Sequence, residues 1–121
     1  MEAKHYIYVI YEREFIKTGE QIYKIGRTCQ EPTDRFKGYP KGSKVILLRC
    51  VSDSLKAENL LKKELSDSPK YKHRPDIGAE YYQGHLGDFI HDVNEWLNWL
   101  DGISPTHISI FWRILRKLRL Y

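Results

Sequence analysis

The residues best suited to chemistry lie in two short stretches, Tyr6-Ile7-Tyr8-Val9-Ile10-Tyr11 and Tyr23-Lys24-Ile25-Gly26-Arg27. Both are rich in β-branched and aromatic residues, and the polar interval between them holds Gly19-Glu20. The pattern predicts a β-hairpin with a long polar loop. Side chains alternate along a strand. Tyr6, Tyr8 and Ile10 therefore share one face, and Ile7, Val9 and Tyr11 the other. In the second strand Tyr23 and Ile25 face one way, Lys24 and Gly26 the other. One face is apolar enough to be core. The other gathers phenols, an ammonium group and a backbone bare of side chain, with Arg27 at its end. Such a surface suits a phosphate, which a permanently charged guanidinium can grip through two bonds.

The elements that must position these residues follow from the pattern beyond them. Glu31 to Lys37 reads as a short helix with Pro32 acceptable in its first turn. Gly38-Tyr39-Pro40-Lys41-Gly42 is a breaker cluster and so a loop. Val45 to Val51 is a continuous apolar run, which predicts a central strand covered on both faces. Ser52 or Asp53 caps a helix reaching about Leu65, with Ala57, Leu60, Leu61 and Leu65 as its apolar stripe. Residues 66–78 are polar, carry two prolines and read as loop. Glu80-Tyr81-Tyr82 is a short extended piece. Leu86 to about Leu100 is an amphipathic helix, and residues 106–120 form a last one after Gly102 and Pro105. The expected fold is α+β, a small, mostly antiparallel three-stranded sheet (the hairpin plus a central strand) flanked by helices, with two helices at the C-terminal end. Residues 1–100 form the domain, and 101–121 a basic amphipathic appendage.

Composition sets the outer limits. The chain has 121 residues, 41% hydrophobic and 30% charged, as expected of a single soluble domain able to bury a core. No apolar run is long enough for a membrane span, and the first residues lack a signal-peptide pattern. Cys29 and Cys50 are too few for a disulfide framework or a zinc site, which points to free thiols and an intracellular setting, cytoplasm or nucleus. Cys50, in an apolar strand, is expected to be buried and inert, and Cys29 has no histidine close in sequence. The five histidines do not cluster at metal-ligand spacing. The net charge of +4 equals the four cations Arg113, Arg116, Lys117 and Arg119 of the acid-free last stretch. Arg35, Lys37, Lys41, Lys44 and Arg49 form an acid-free run, and Lys70, Lys72, His73 and Arg74 a second cluster. Patches of this kind fit a polyanion.

These residues resemble the GIY-YIG endonuclease superfamily, most closely its phage- and large-virus-type branch with a Tyr-Lys-Ile-Gly second motif. Tyr6-Ile7-Tyr8 stands where Gly-Ile-Tyr would, and Tyr23-Lys24-Ile25-Gly26-Arg27-Thr28 where the second motif would. Arg35 and Glu58 fall where the superfamily keeps an arginine and a metal-binding glutamate. Gly78-Ala79-Glu80-Tyr81-Tyr82 resembles the branch's closing Gly-Glu-Trp-Phe element. The resemblance spans roughly residues 5 to 95. Tyr6 replaces the first glycine, Lys24 holds the position of the second motif's tyrosine, and Gly78-Ala79-Glu80 carries one extra residue.

The resemblance implies a metal-dependent endonuclease acting on DNA, with Tyr8, Lys24, Arg27, Arg35 and Glu58 at the reaction centre. On its own, Glu58 reads as a helix glutamate paired with Lys62 four residues on; the resemblance makes it the ligand of Mg²⁺, or of Mn²⁺. One carboxylate with substrate oxygens and waters suits Mg²⁺, which keeps much of its water shell. Tyr8 is the candidate base or water-orienting group; as a base it needs Lys24, Arg27 and Arg35 to lower a phenol pKa of about 10. Arg27, Arg35 and Lys24 fit the phosphate. Glu80 is either a second metal or water contact or an anchor of the cleft rim through Arg35. Tyr6, Tyr23, Gly26, Lys37, Lys41, Lys44, His73, Arg74 and Glu80 are the candidate nucleic-acid contacts. Two other functions fit the sequence: a DNA-binding module that has lost cleavage, and a protein-interaction domain working through the C-terminal helix. That helix would pack on the domain, join two copies as a homodimer, or lie on a membrane surface. The branch resembled favours a viral origin.

Overall fold

The computed structural model describes residues 4–29 and 35–102. The expected helix over 106–120 and most of the one at 31–37 lie outside them; Arg35 and Phe36, which are described, are helical. The hairpin is present. Strand β1 (His5–Tyr11) pairs antiparallel with β2 (Ile22–Thr28), in a register that sets Tyr8 opposite Gly26 and Val9 opposite Ile25. The connection between them is a helix, α1 (Arg13–Thr18), where a loop was expected. Phe15 anchors it in the core, and Gly19 ends it in the left-handed conformation, φ 76°, with its N–H donating to Ile16 O.

The sheet has five strands where three were expected, in the order β3-β1-β2-β5-β4, all antiparallel. The additions are β4 (Lys72–His73), from the stretch read as loop, and β5 (Tyr81–Gln83), the expected extended piece. Strand β3 (Lys44–Val51) lies at one edge of the sheet, not at its centre. Its apolar run is covered on one side only. Leu47 and Val51 are buried, while Val45 is 41% and Leu48 43% exposed. Cys50 is exposed for the same reason, which corrects the expectation of a buried thiol. β1 has neighbours on both sides, and all four residues from Ile7 to Ile10 are buried.

Two longer helices cover the inner face. α2 (Ser54–Asp67) starts at Asp53, whose carboxylate accepts from the N–H of Lys56. α3 (Leu86–Asp101) ends at Gly102, again left-handed at φ 65°. Ala57, Leu61 and Leu65 of α2 and Phe89, Val93, Trp96 and Leu97 of α3 close on Ile7, Val9, Tyr23 and Ile25 as one core. Arg49 ties β3 to α3, donating to Asn94 O at 3.1 Å and to Asn98 Oδ1 at 2.7 Å.

Candidate active site at the open edge of strand β2

The site begins where β5 ends. β5 pairs with Ile22, Tyr23 and Lys24, and the N–H of Ile25 still reaches Glu80 O at 3.0 Å. Beyond that, residues 26–28 face no further strand on that side among the described residues. The open edge is lined by Tyr8, Gly26, Arg27, Thr28, Cys29, Arg35, Glu58 and Glu80, around a cleft of about 600 Å³.

The lining side chains come from both faces of the sheet and meet at this edge. Tyr8 and Thr28 lie on the outer face, Arg27 on the inner face with α2. Gly26 makes the meeting possible. Tyr8 lies directly over it, so that an added Cβ would sit 2.3 Å from Tyr8 Cζ. Glu58 follows Ala57 of the buried stripe and is 7% exposed. Its Oε1 stands 3.3 Å from Lys62 Nζ and 3.7 Å from Arg27 Nε. The helix pairing with Lys62 and the position in the cleft therefore hold together.

Tyr8 is enclosed. Phe36 meets its ring edge-on at 5.2 Å, and its hydroxyl is 3.1 Å from that of Tyr39. Arg35 lies 5.8 Å from the Tyr8 ring centre and 5.6 Å from that of Tyr39, and Lys24 Nζ 5.0 Å from the Tyr39 ring. Of the three cations expected to activate Tyr8, Arg35 and Lys24 are thus close, while Arg27 pairs with Glu58 on the inner face. Burial nevertheless dominates and, with the bond to Tyr39, pushes the Tyr8 phenol well above its ordinary range; Arg35 and Lys24 only oppose this. Tyr8 therefore keeps its proton, which speaks against the expected role of base. Lys24 Nζ also stands 3.9 Å from Glu80 Oε2, so the partner the structure gives Glu80 is Lys24 rather than Arg35.

Residues 5–101 match the T5orf172 domain. The chain belongs to the T5orf172 domain family. This is a GIY-YIG-like, phage-type nuclease-associated domain. It is compatible with nuclease function and DNA binding. No curated protein and no solved structure gives a significant match to the chain.

In this T5orf172 domain the expected contacts divide sharply. Tyr8, Gly26, Arg27, Arg35, Glu58 and Glu80 meet in the cleft, with Lys24 beside it. Tyr6 is half-buried on the Tyr8 face, opposite Thr28. Lys37, Lys41 and Lys44 are exposed around the loop before β3, outside the cleft lining. Tyr23 points into the core, 1% exposed, and its hydroxyl donates to Gly84 O; it is no surface contact. His73 stacks on Tyr82 at 4.8 Å and donates to Ala79 O. Arg74 forks onto both oxygens of Asp76, at 2.9 and 2.7 Å, and holds that carboxyl below the usual range. Both residues belong to the β4–β5 end of the sheet and serve its turn.

Sequence reasoning missed Tyr39, Thr28 and Cys29. Tyr39 sat in a stretch read only as breakers. Cys29 gains what its sequence neighbourhood lacked: His5 Nδ1 is 3.7 Å from its sulfur, while also accepting from the N–H of Ser54 at 3.1 Å. Among the described residues no three His, Cys, Asp or Glu side chains group as a metal site, and no helix is long and apolar enough to cross a membrane.

Proposed function

We propose that the chain is a metal-dependent endonuclease that hydrolyses DNA phosphodiester bonds in the cleft at the β2 edge. The observation that carries this is the convergence of two guanidinium groups, a nearly buried carboxylate and an oriented phenol on one opening, in a member of a nuclease-associated family. Arg27 and Arg35 are permanently charged and suited to gripping a phosphate that approaches the edge. Lys24 adds charge beside them, and Glu80 holds Lys24 toward the cleft. Tyr8 directs its hydroxyl rather than abstracting a proton.

Glu58 fits a divalent cation by its chemistry: a carboxylate at the cleft wall, with Glu80 the other acid in the lining. A donor set this sparse suits Mg²⁺ or Mn²⁺, which would fill its remaining positions with water and phosphate oxygens. When bound, such an ion polarises the phosphoryl oxygens and lowers the pKa of a bound water. Glu58 would hold it, with Lys62 and Arg27 as the carboxylate's partners in its absence.

The test is nicking of supercoiled plasmid with Mg²⁺ or Mn²⁺, with Glu58→Gln as the control. Metal-dependent nicking by the wild type and at least a hundred-fold less by Glu58→Gln is expected, on the order of what a single electrostatic group contributes. Equal nicking by both proteins, or none by either, ends the proposal.

One observation favours a second reading, a DNA-binding module without cleavage: the Tyr8 hydroxyl is buried and already bonded to Tyr39. DNA binding that weakens steeply with salt, without nicking under any metal, would select it.

A further inference from the structure

The Tyr8 hydroxyl has a built partner that the motif residues do not include. Tyr39 comes from the loop between Phe36 and β3, thirty-one residues along the chain, and its hydroxyl stands 3.1 Å from that of Tyr8. The loop is held in place. The Tyr39 N–H donates to Phe36 O and the Ser43 N–H to Pro40 O, while Arg13 at the start of α1 donates to Ser43 Oγ at 3.0 Å. Three groups of the site bear on the Tyr39 ring. Tyr8 meets it edge-on at 6.3 Å between centres, Lys24 lies 5.0 Å away, and Arg35 lies 5.6 Å away. Lys24 is tied in turn to Glu80.

We propose that Tyr39 is a positioning residue that holds the hydroxyl of Tyr8 and, through its ring, the charged ends of Lys24 and Arg35 in the arrangement the reaction uses. The assignment rests on the nuclease reading. A tyrosine present only to fill space would need neither an aligned hydroxyl nor two cations on its ring. Tyr8 has no exposed surface, and the hydroxyl of Tyr39 is the polar group set against its own, with either oxygen able to donate. Two phenols then act as a unit, Tyr8 in the cleft lining and Tyr39 in the half-buried loop beside it.

Tyr39→Phe keeps the ring and removes the hydroxyl. It is expected to lower kcat for plasmid nicking on the order of ten- to a hundred-fold with KM for DNA little changed, since misdirecting one reacting group costs on that scale. At neutral pH the ¹³Cζ resonance of Tyr8, assigned with Tyr8→Phe, is expected to move in the same variant. A purely structural bond would move the resonance but leave kcat unchanged. Equal kcat in Tyr39→Phe overturns the assignment while leaving the nuclease reading intact; a wild type that does not nick overturns both. Should Tyr39→Phe fail to melt cooperatively, Pro40→Gly replaces it. This change loosens the loop that carries Tyr39, and the same fall in kcat is expected; an unchanged kcat again overturns the assignment.

Discussion

At Gly26 the constraint is space rather than backbone freedom. A Cβ there would stand 2.3 Å from Tyr8 Cζ and 2.4 Å from Tyr8 Oη, closer than any side chain tolerates. The obstacle is a ring wedged against Phe36 and Tyr39, which cannot swing aside as a flexible chain end would. Gly26→Ala should therefore expel the Tyr8 ring and spread the Arg35 and Tyr39 contacts behind it. The expected cost is about 1–3 kcal/mol of stability, the usual scale of overpacking, together with loss of nicking. Chemical denaturation and the plasmid assay measure the two effects. Unchanged values in both would mean that the ring does not lie over this backbone. The same residue shows where the sequence was readable. That Gly26 shares a face with Tyr8 follows from strand alternation, whereas their standing directly opposite is set by a register that only the structure gives. The direction of the Tyr8 pKa does not follow, because burial and Tyr39 are products of tertiary packing and outweigh the cations that could be counted in the sequence.

The elements were legible in proportion to their length. β1, β2, α2 and α3 run seven, seven, fourteen and sixteen residues, long enough for a period of two or of 3.6 to register. α1 is six residues long, and its signal, a single buried Phe15 followed by Gly19, was lost in a polar interval. β4 and β5 are two and three residues long; β5 was legible as an extended piece, but its pairing with β2, and that of β4 with β5, is tertiary and no local pattern reports it. β3 misled because a continuous apolar run reads as burial on both faces, whereas its outer face leaves Val45 and Leu48 open. α2 carries a prediction at this scale. Asp53 caps the helix that presents Glu58, through a bond from the Lys56 N–H at 3.1 Å. Asp53→Ala should cost about 1 kcal/mol, read as a lower denaturation midpoint with an unchanged slope. Because Ala57, Leu61 and Leu65 hold the helix in the core independently, nicking by the folded fraction should stay near the wild-type rate. A proportionate fall in activity would mean that the cap, not the core, sets the position of Glu58.

Across the whole molecule the aromatic content becomes a titratable property of the fold. Tyr8, Tyr23 and Tyr82 are each at most 1% exposed, and Tyr81 is half-buried. Burial is the leading cause that raises all four phenols above their ordinary value; Tyr23 is pushed up to about 12, and a bond with Glu12 adds to the shift at Tyr81. A phenol whose pKa is higher folded than unfolded binds its proton more tightly in the native state. Its contribution to stability is complete below the unfolded pKa of about 10 and drains away as pH rises from there through the folded value. The four groups act in the same direction from the two faces of one sheet, so their losses accumulate in a single transition. The melting temperature should hold level up to about pH 10 and then fall steeply, with tyrosinate absorbance from these residues appearing together with loss of the core rather than before it. Tyr82→Phe, which removes one of the four hydroxyls, should make the alkaline fall shallower. If the absorbance develops fully near pH 10 while the chain remains folded, the phenols are in contact with water and the packing assigned to both faces of the sheet is wrong.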